Sequence, residues 1–97
     1  MKSVMIQCST THLTKDDDIQ LKFLSGSEVN LPWVYDATFG YIVDLGSFRH
    51  PLLEMKSREL SKSFRRFVYH MQTNHQAKYI HFDCDADEIA NESAYVW

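Results

Sequence analysis

The stretch "IHFDCDADEIANES" places carboxylates at Asp83, Asp85, Asp87, Glu88 and Glu92 with no Lys or Arg among them. A second cluster, Asp16, Asp17 and Asp18, stands near the other end of the chain. Such groups can ligate a cation, transfer protons, cap a helix or present charge to a partner. The D-x-D-x-D spacing at 83, 85 and 87 is how a calcium-binding EF-hand loop begins, but such a loop requires Gly at its sixth place and Glu at its twelfth. Glu88 and Ala94 stand there, so that reading fails, and no metal or other cofactor is expected.

Proton transfer requires a carboxylate beside a partner that shifts its pKa. His81 precedes Asp83 by two residues, and Cys8–His12 or Cys84–His81 could be drawn as nucleophile and base. Neither spacing matches a known arrangement. Both cysteines fall on the apolar side of predicted strands, where a buried, reduced thiol is expected. "CSTTHLTK" leads from a strand towards a helix, a geometry that can bind phosphate. It lacks the glycines of a phosphate loop, and three Asp follow it. No enzymatic activity is expected.

The net charge of −3 conceals a division. Residues 1–48 carry a net of −3, residues 49–78 a net of +5, and residues 79–97 a net of −5 with no Lys or Arg. Lys56, Arg58, Lys62, Arg65 and Arg66 could contact phosphates. Against this stand a pI near 5.9 and the acidic blocks on either side. Nucleic-acid binding by the basic helix 56–66 is therefore the alternative reading, alongside a regulatory interaction module.

These side chains need a scaffold. Ninety-seven residues suit one domain, 1–97, and 44% hydrophobic residues suffice for a core. "SVMIQCST" alternates as a strand. "HLTKDDDIQLKFLSG" reads as a helix, with Thr14 as N-cap and Asp17 at the third helical position. Ile19, Phe23 and Leu24 form its expected buried stripe, and Gly26 ends it. Pro32 breaks any helix in the next stretch. Trp33 to Tyr35 and residues 39–45 read as strands of a possible hairpin turning at "DAT". Pro51 opens a helical region in which 51–57 can separate, because Ser61 can cap a second helix. Leu60, Phe64, Phe67, Val68 and Met71 form an amphipathic stripe that leaves Lys62, Arg65 and Arg66 outside it. "KYIHFDCDA" is the last strand, with Ile80, Phe82 and Cys84 inward and His81, Asp83 and Asp85 outward. Tyr95 and Trp97 are expected to pack back on the fold. The order β-α-β(β)-α-β predicts a single α+β domain. Its sheet has three or four strands, and its helices pack largely on one face.

"CSTTHLTKDDD", "YIHFDCDADE" and the closing "YVW" resemble small proteins of phages, prophages and other bacterial mobile elements. The chain resembles phage anti-CRISPR proteins that inhibit the type I-F surveillance complex as DNA mimics. The resemblance implies a non-enzymatic inhibitor in the host bacterial cytoplasm, whose partner is the CRISPR-Cas complex of Cas subunits around a guide RNA. It implies no direct DNA binding, no membrane and no small-molecule ligand. The partner-binding candidates come from the charge pattern itself: Asp16, Asp17, Asp18, Asp83, Asp85, Asp87, Glu88 and Glu92. They serve only if exposed and free of Lys and Arg. If the first and last strands pair, the two clusters could share an edge of the protein.

Overall fold

The computed structural model describes residues 4–26 and 33–97. Residues 27–32, including the expected helix breaker Pro32, lie outside the described residues, as do residues 1–3.

Strand β1 (Met5–Ser9) leads through a 3-10 turn, Thr10–His12, into helix α1 (Lys15–Gly26). Strands β2 (Val34–Ala37) and β3 (Gly40–Asp44) form an antiparallel hairpin. Helices α2 (Pro51–Ser57) and α3 (Lys62–His75) follow, and strand β4 (Tyr79–Asp83) returns to the sheet. The sheet order is β1-β4-β3-β2. β4 runs parallel to β1 and antiparallel to β3.

The register sorts side chains by face, since successive residues of a strand point to opposite sides. Ile6, Ile80, Val43 and Val34 align across the four strands, and Cys8, Phe82 and Tyr41 form the next row. These rows meet Leu21 and Leu24 of α1, Met55 of α2, and Phe64, Phe67, Val68 and Met71 of α3 in one core. The opposite row, Gln7, His81, Ile42 and Tyr35, is half-buried or exposed. The fold is thus the expected α+β arrangement with helices on one face. No helix among the described residues is long and apolar enough to cross a membrane.

The helix ends follow the expected chemistry. Thr14 Oγ1 accepts from Asp17 N at 3.2 Å. Pro51 sits at the start of α2, where its missing N–H leaves nothing unpaired. α2 and α3 separate at Glu59, whose φ of 65° lies in the left-handed region, and Ser61 caps α3 by accepting from Phe64 N at 3.1 Å. Gln76, at φ 54°, closes α3 in the conformation that commonly ends helices.

Three expectations need correction. Ile19 and Phe23 do not belong to the buried stripe of α1; they are 57% and 67% exposed. Asp17, Leu21 and Leu24, at i, i+4 and i+7, turn inward instead, because the Asp17 carboxylate is drawn to Ser61 at the start of α3. The hairpin turns at Thr38–Phe39, so β2 extends to Ala37. Gly40 follows that turn with its backbone against β4: a Cβ there would sit 1.8 Å from the Phe82 carbonyl oxygen. Finally, Cys84 is exposed, since β4 ends at Asp83 and the chain turns before another inward position is reached.

Beyond β4 the chain has no regular structure, yet it is tied down. His12 is 3% exposed and stacks on Phe67 with ring centroids 4.8 Å apart. Its Nε2 accepts from Ile89 N at 2.8 Å, which leaves the proton on Nδ1, and that N–H donates to the Ser93 carbonyl at 2.8 Å. Tyr95 N donates to Thr11 O at 2.7 Å, and Trp97 Nε1 donates to Leu13 O at 3.0 Å. Tyr95 is half-buried as expected. Trp97 keeps 56% of its surface exposed, held by its indole N–H more than by burial.

Candidate acidic docking surface

Parallel pairing of β1 and β4 places the C-terminal ends of both strands together, with Ser9 opposite Asp83. The turn leading to α1 leaves from one, and the acidic turn at 83–88 leaves from the other. The strands pair, and Asp18 of the first cluster lines one hollow with Thr10 and with Cys84 of the acidic turn.

The sequence-predicted acids divide by environment. Asp85 and Asp87 are exposed and, with Asp83 and Gln7, line an open hollow of about 370 Å³. Asp83 is half-buried; its Oδ1 accepts from Asp85 N at 2.8 Å and fixes the turn. Glu88 accepts the Thr11 hydroxyl at 2.6 Å, which joins the acidic turn to the β1–α1 connection. Asp16 is exposed, while Asp18 is half-buried with its backbone carbonyl accepting from Tyr41 OH at 3.2 Å.

Two of the eight have other roles. Asp17 is 2% exposed, accepting from Ser61 N at 2.9 Å, the Ser61 hydroxyl at 2.5 Å and the Thr14 hydroxyl at 2.8 Å. It is a clamp between two helix N-termini and is not available to a partner. The helix period alone could not reveal this, because the inward turn of α1 depends on a serine 44 residues away. Glu92, whose side chain is 11% exposed, pairs with His70 Nδ1 at 3.0 Å and is committed to α3.

One acid escaped the sequence reading. Asp36 of β2 is exposed and lines a hollow of about 300 Å³ with Asp18, Lys22, Thr38, Phe39 and Tyr41. The Tyr41 phenol is pushed up to about 12 by burial first, then by the charges of Asp18 and Asp36. Those two carboxylates thus act on one hydroxyl although they come from different elements. Asp36 stood inside a stretch read as a turn, with no neighbouring acid to mark it.

Residues 5–97 match the model for the C-terminal domain of a family of unknown function, DUF5983. The chain belongs to that family. No curated protein and no solved structure matches it.

Among the described residues of this family member, the Lys or Arg ion pair within 4 Å is Arg58–Glu54, inside α2 and its cap. Lys62, Arg65 and Arg66 make no such pair with the acidic end. The catalytic pairings considered from sequence lack the needed geometry. Burial pushes the Cys8 thiol up to about 12, opposing its ionisation, and both nitrogens of His12 are engaged by backbone groups. His81 Nε2 stands 3.8 Å from Asp83, beyond hydrogen-bond reach. The Cys84 thiol is also raised, by desolvation and by Asp85 and Asp83, which disfavours a thiolate nucleophile. Ligand atoms of Asp83, Cys84 and Asp85 lie within 4.8 Å of one another, close enough to share a cation. The turn is already organised without one by the Asp83–Asp85 hydrogen bond.

Proposed function

We propose that this protein is a non-enzymatic inhibitor that presents carboxylates to a nucleic-acid-binding groove, acting as a DNA mimic on a type I-F CRISPR-Cas surveillance complex in the host bacterial cytoplasm. The observation that carries the reading is the parallel β1–β4 pairing. It brings the acidic turn of Asp83, Asp85, Asp87 and Glu88 to the end of the sheet from which the connection to Asp16 and Asp18 leaves, with Asp36 and Lys22 lining one hollow with Asp18; among the described residues none of these carboxylates forms an ion pair with Lys or Arg. Rows of Lys and Arg that bind phosphates gain affinity from charge whatever the sequence. Asp83 ends β4, and the turn that follows holds Asp85 close to it, with Asp87 beyond on the same hollow. The specific partner is what the resemblance to phage anti-CRISPR proteins adds.

The test is competition. Purified type I-F surveillance complex is mixed with labelled target duplex and increasing protein. The wild type is expected to prevent duplex capture, with association slowing as salt rises. Asp85→Asn with Asp87→Asn is expected to weaken inhibition at least tenfold while thermal unfolding is unchanged. Full inhibition by that double variant overturns the acidic-turn reading. Retardation of duplex DNA by the protein alone, lost in Arg66→Ala, would favour binding by α3 instead.

A further inference from the structure

The segment after β4 is a strap tied by hydrogen bonds to the β1–α1 connection. Ile89 N–H donates to His12 Nε2 at 2.8 Å, His12 Nδ1–H donates to the Ser93 carbonyl at 2.8 Å, and Tyr95 N–H donates to the Thr11 carbonyl at 2.7 Å. The Thr11 hydroxyl donates to Glu88 at 2.6 Å, and Trp97 Nε1–H donates to the Leu13 carbonyl at 3.0 Å. His12 is the centre of this arrangement. It is buried, it stacks on Phe67 of α3, and the strap uses both of its ring nitrogens. A neutral imidazole has one acceptor and one donor, which is what Ile89 and Ser93 require. A protonated ring has two donors. Its Nε2–H would face the Ile89 N–H, so that bond would be lost and a buried charge would be left with a single acceptor.

We infer that His12 is a proton-controlled latch, and that its protonation releases residues 89–97 from α3 and from the β1–α1 connection. Release uncovers the His12 and Phe67 rings and frees Ile89, the residue that follows Glu88 of the acidic turn. Imidazole is the side chain that ordinarily changes charge between about pH 5 and 8. Arg66 and His70 of α3 and Glu92 and Tyr95 of the strap line one cavity with His12. Glu88 reaches the adjoining Thr11, and Lys15 and Asp16 open α1 just beyond. Of these, His70 is the other imidazole, and it acts in the opposite direction: its proton strengthens the pair with Glu92, 3.0 Å away. The His70 side chain is 38% exposed, so solvent weakens that contribution. The sign follows from His12. The closed strap binds no proton there and the open one does, so the closed form is stable at neutral pH and loses that stability as pH falls.

Amide hydrogen exchange of the full chain, followed by NMR at pH 7.5 and pH 5 and corrected for intrinsic exchange rates, tests the latch. A free imidazole titrates near about 6.5, so a closed strap that takes up no proton opens about 30-fold more often at pH 5 than at pH 7.5. The amides of Ile89 and Tyr95 are expected to lose that much protection, while Ile80 and Phe82 in the central strand β4 keep theirs. His12→Gln supplies an acceptor and a donor that do not titrate, and is expected to hold the strap equally at both pH values. If that variant does not close, the nitrogen shifts of the His12 ring in the wild type decide, with a neutral ring carrying its proton on Nδ1 expected wherever the strap is closed. Unchanged protection of Ile89 and Tyr95 at pH 5 overturns the latch. So does a doubly protonated His12 ring beneath a strap that stays protected. A pH response that survives in His12→Gln and disappears in His70→Gln assigns the sensor to His70 and refutes the inference.

Discussion

Replacing Asp17 is expected to unfold the protein more readily than any other single change at an acid. Its carboxylate accepts three hydrogen bonds while 2% exposed, and one partner, Ser61, itself caps α3. Hydrogen bonds to a charged group contribute about 1.5–3 kcal/mol each, and they are not additive when they share one acceptor. Asp17→Ala leaves the Ser61 N–H without its acceptor and loosens the α3 cap, so a loss of about 4 kcal/mol is expected. Asp17→Asn keeps one oxygen and should lose about 2 kcal/mol. In a domain of this size 1 kcal/mol moves the melting temperature by about 4–8 °C, so Asp17→Ala should melt at least about 15 °C lower. Urea denaturation followed by circular dichroism measures both variants, with Asp16→Ala as an exposed control within about 0.5 kcal/mol of wild type. A double-mutant cycle with Ser61→Ala should show coupling above about 1 kcal/mol. A stability within about 1 kcal/mol of wild type for Asp17→Ala would refute the clamp, because a buried carboxylate with three donors cannot be removed so cheaply. The result also bears on function: a combined change at Asp16, Asp17 and Asp18 would lose binding by unfolding.

Further outcomes follow from the same geometry. Gly40→Ala should destabilise by about 3 kcal/mol or more, since its Cβ would meet the Phe82 carbonyl at 1.8 Å and the hairpin would have to separate from β4; urea midpoints measure this. Cys8 and Tyr41 are raised from 9.0 and 10.0 to about 12, so the stability tied to their neutral forms is fully present below pH 9 and is lost between about pH 9 and 12. Urea midpoints should fall across that window, and Cys8→Val should remove the portion that begins at pH 9. Under native conditions a thiol reagent should modify Cys84 and spare Cys8 until unfolding; Asp85→Asn should speed the reaction by lowering the Cys84 pKa, and mass spectrometry of timed samples reads both.

The parts of the fold legible in the sequence are those fixed by local chemistry. Thr14, Pro51 and Ser61 each act through groups within one helical turn, and each stands at the helix start where its chemistry puts it. Alternation identified β1, β3 and β4, because one face of the sheet is covered and the other is not. Long-range partners set what was missed. α1 turns Asp17 inward and Ile19 and Phe23 outward because of Ser61, which no period within α1 encodes. Its weak amphipathicity is the trace this left: apolar residues fall on both sides of the helix, so the pattern could not say which side is core. Cys84 continued the alternation of β4 on paper, but the strand had already ended. Asp36 joined the site only through the position of β2 against α1. Glu92 lay in line with the other acids in the sequence and was taken out of line by His70.

That redistribution changes how the surface should behave. A reading by charge count assigns eight carboxylates to the docking face. The structure removes Asp17 to the interior and commits Glu92 to α3, while Asp36 joins the surface. Asp83 and Glu88 remain but are anchored by Asp85 N and the Thr11 hydroxyl, which holds the acidic turn in one geometry. A surface with this few free charges gives only modest long-range attraction, and salt will screen what there is over about 8–10 Å. Electrostatics of this kind governs how fast partners meet, whereas desolvated apolar contacts govern how long they stay. If exposed apolar side chains such as Ile19 and Phe23 also meet the proposed partner, association will slow with added salt while dissociation barely changes. A surface working by carboxylates alone would show both rates moving, since each ion pair broken on leaving is screened as well. Association and dissociation rates measured from 50 to 500 mM salt therefore separate the two ways of binding, and a dissociation rate that climbs steeply with salt would leave apolar contacts without a role.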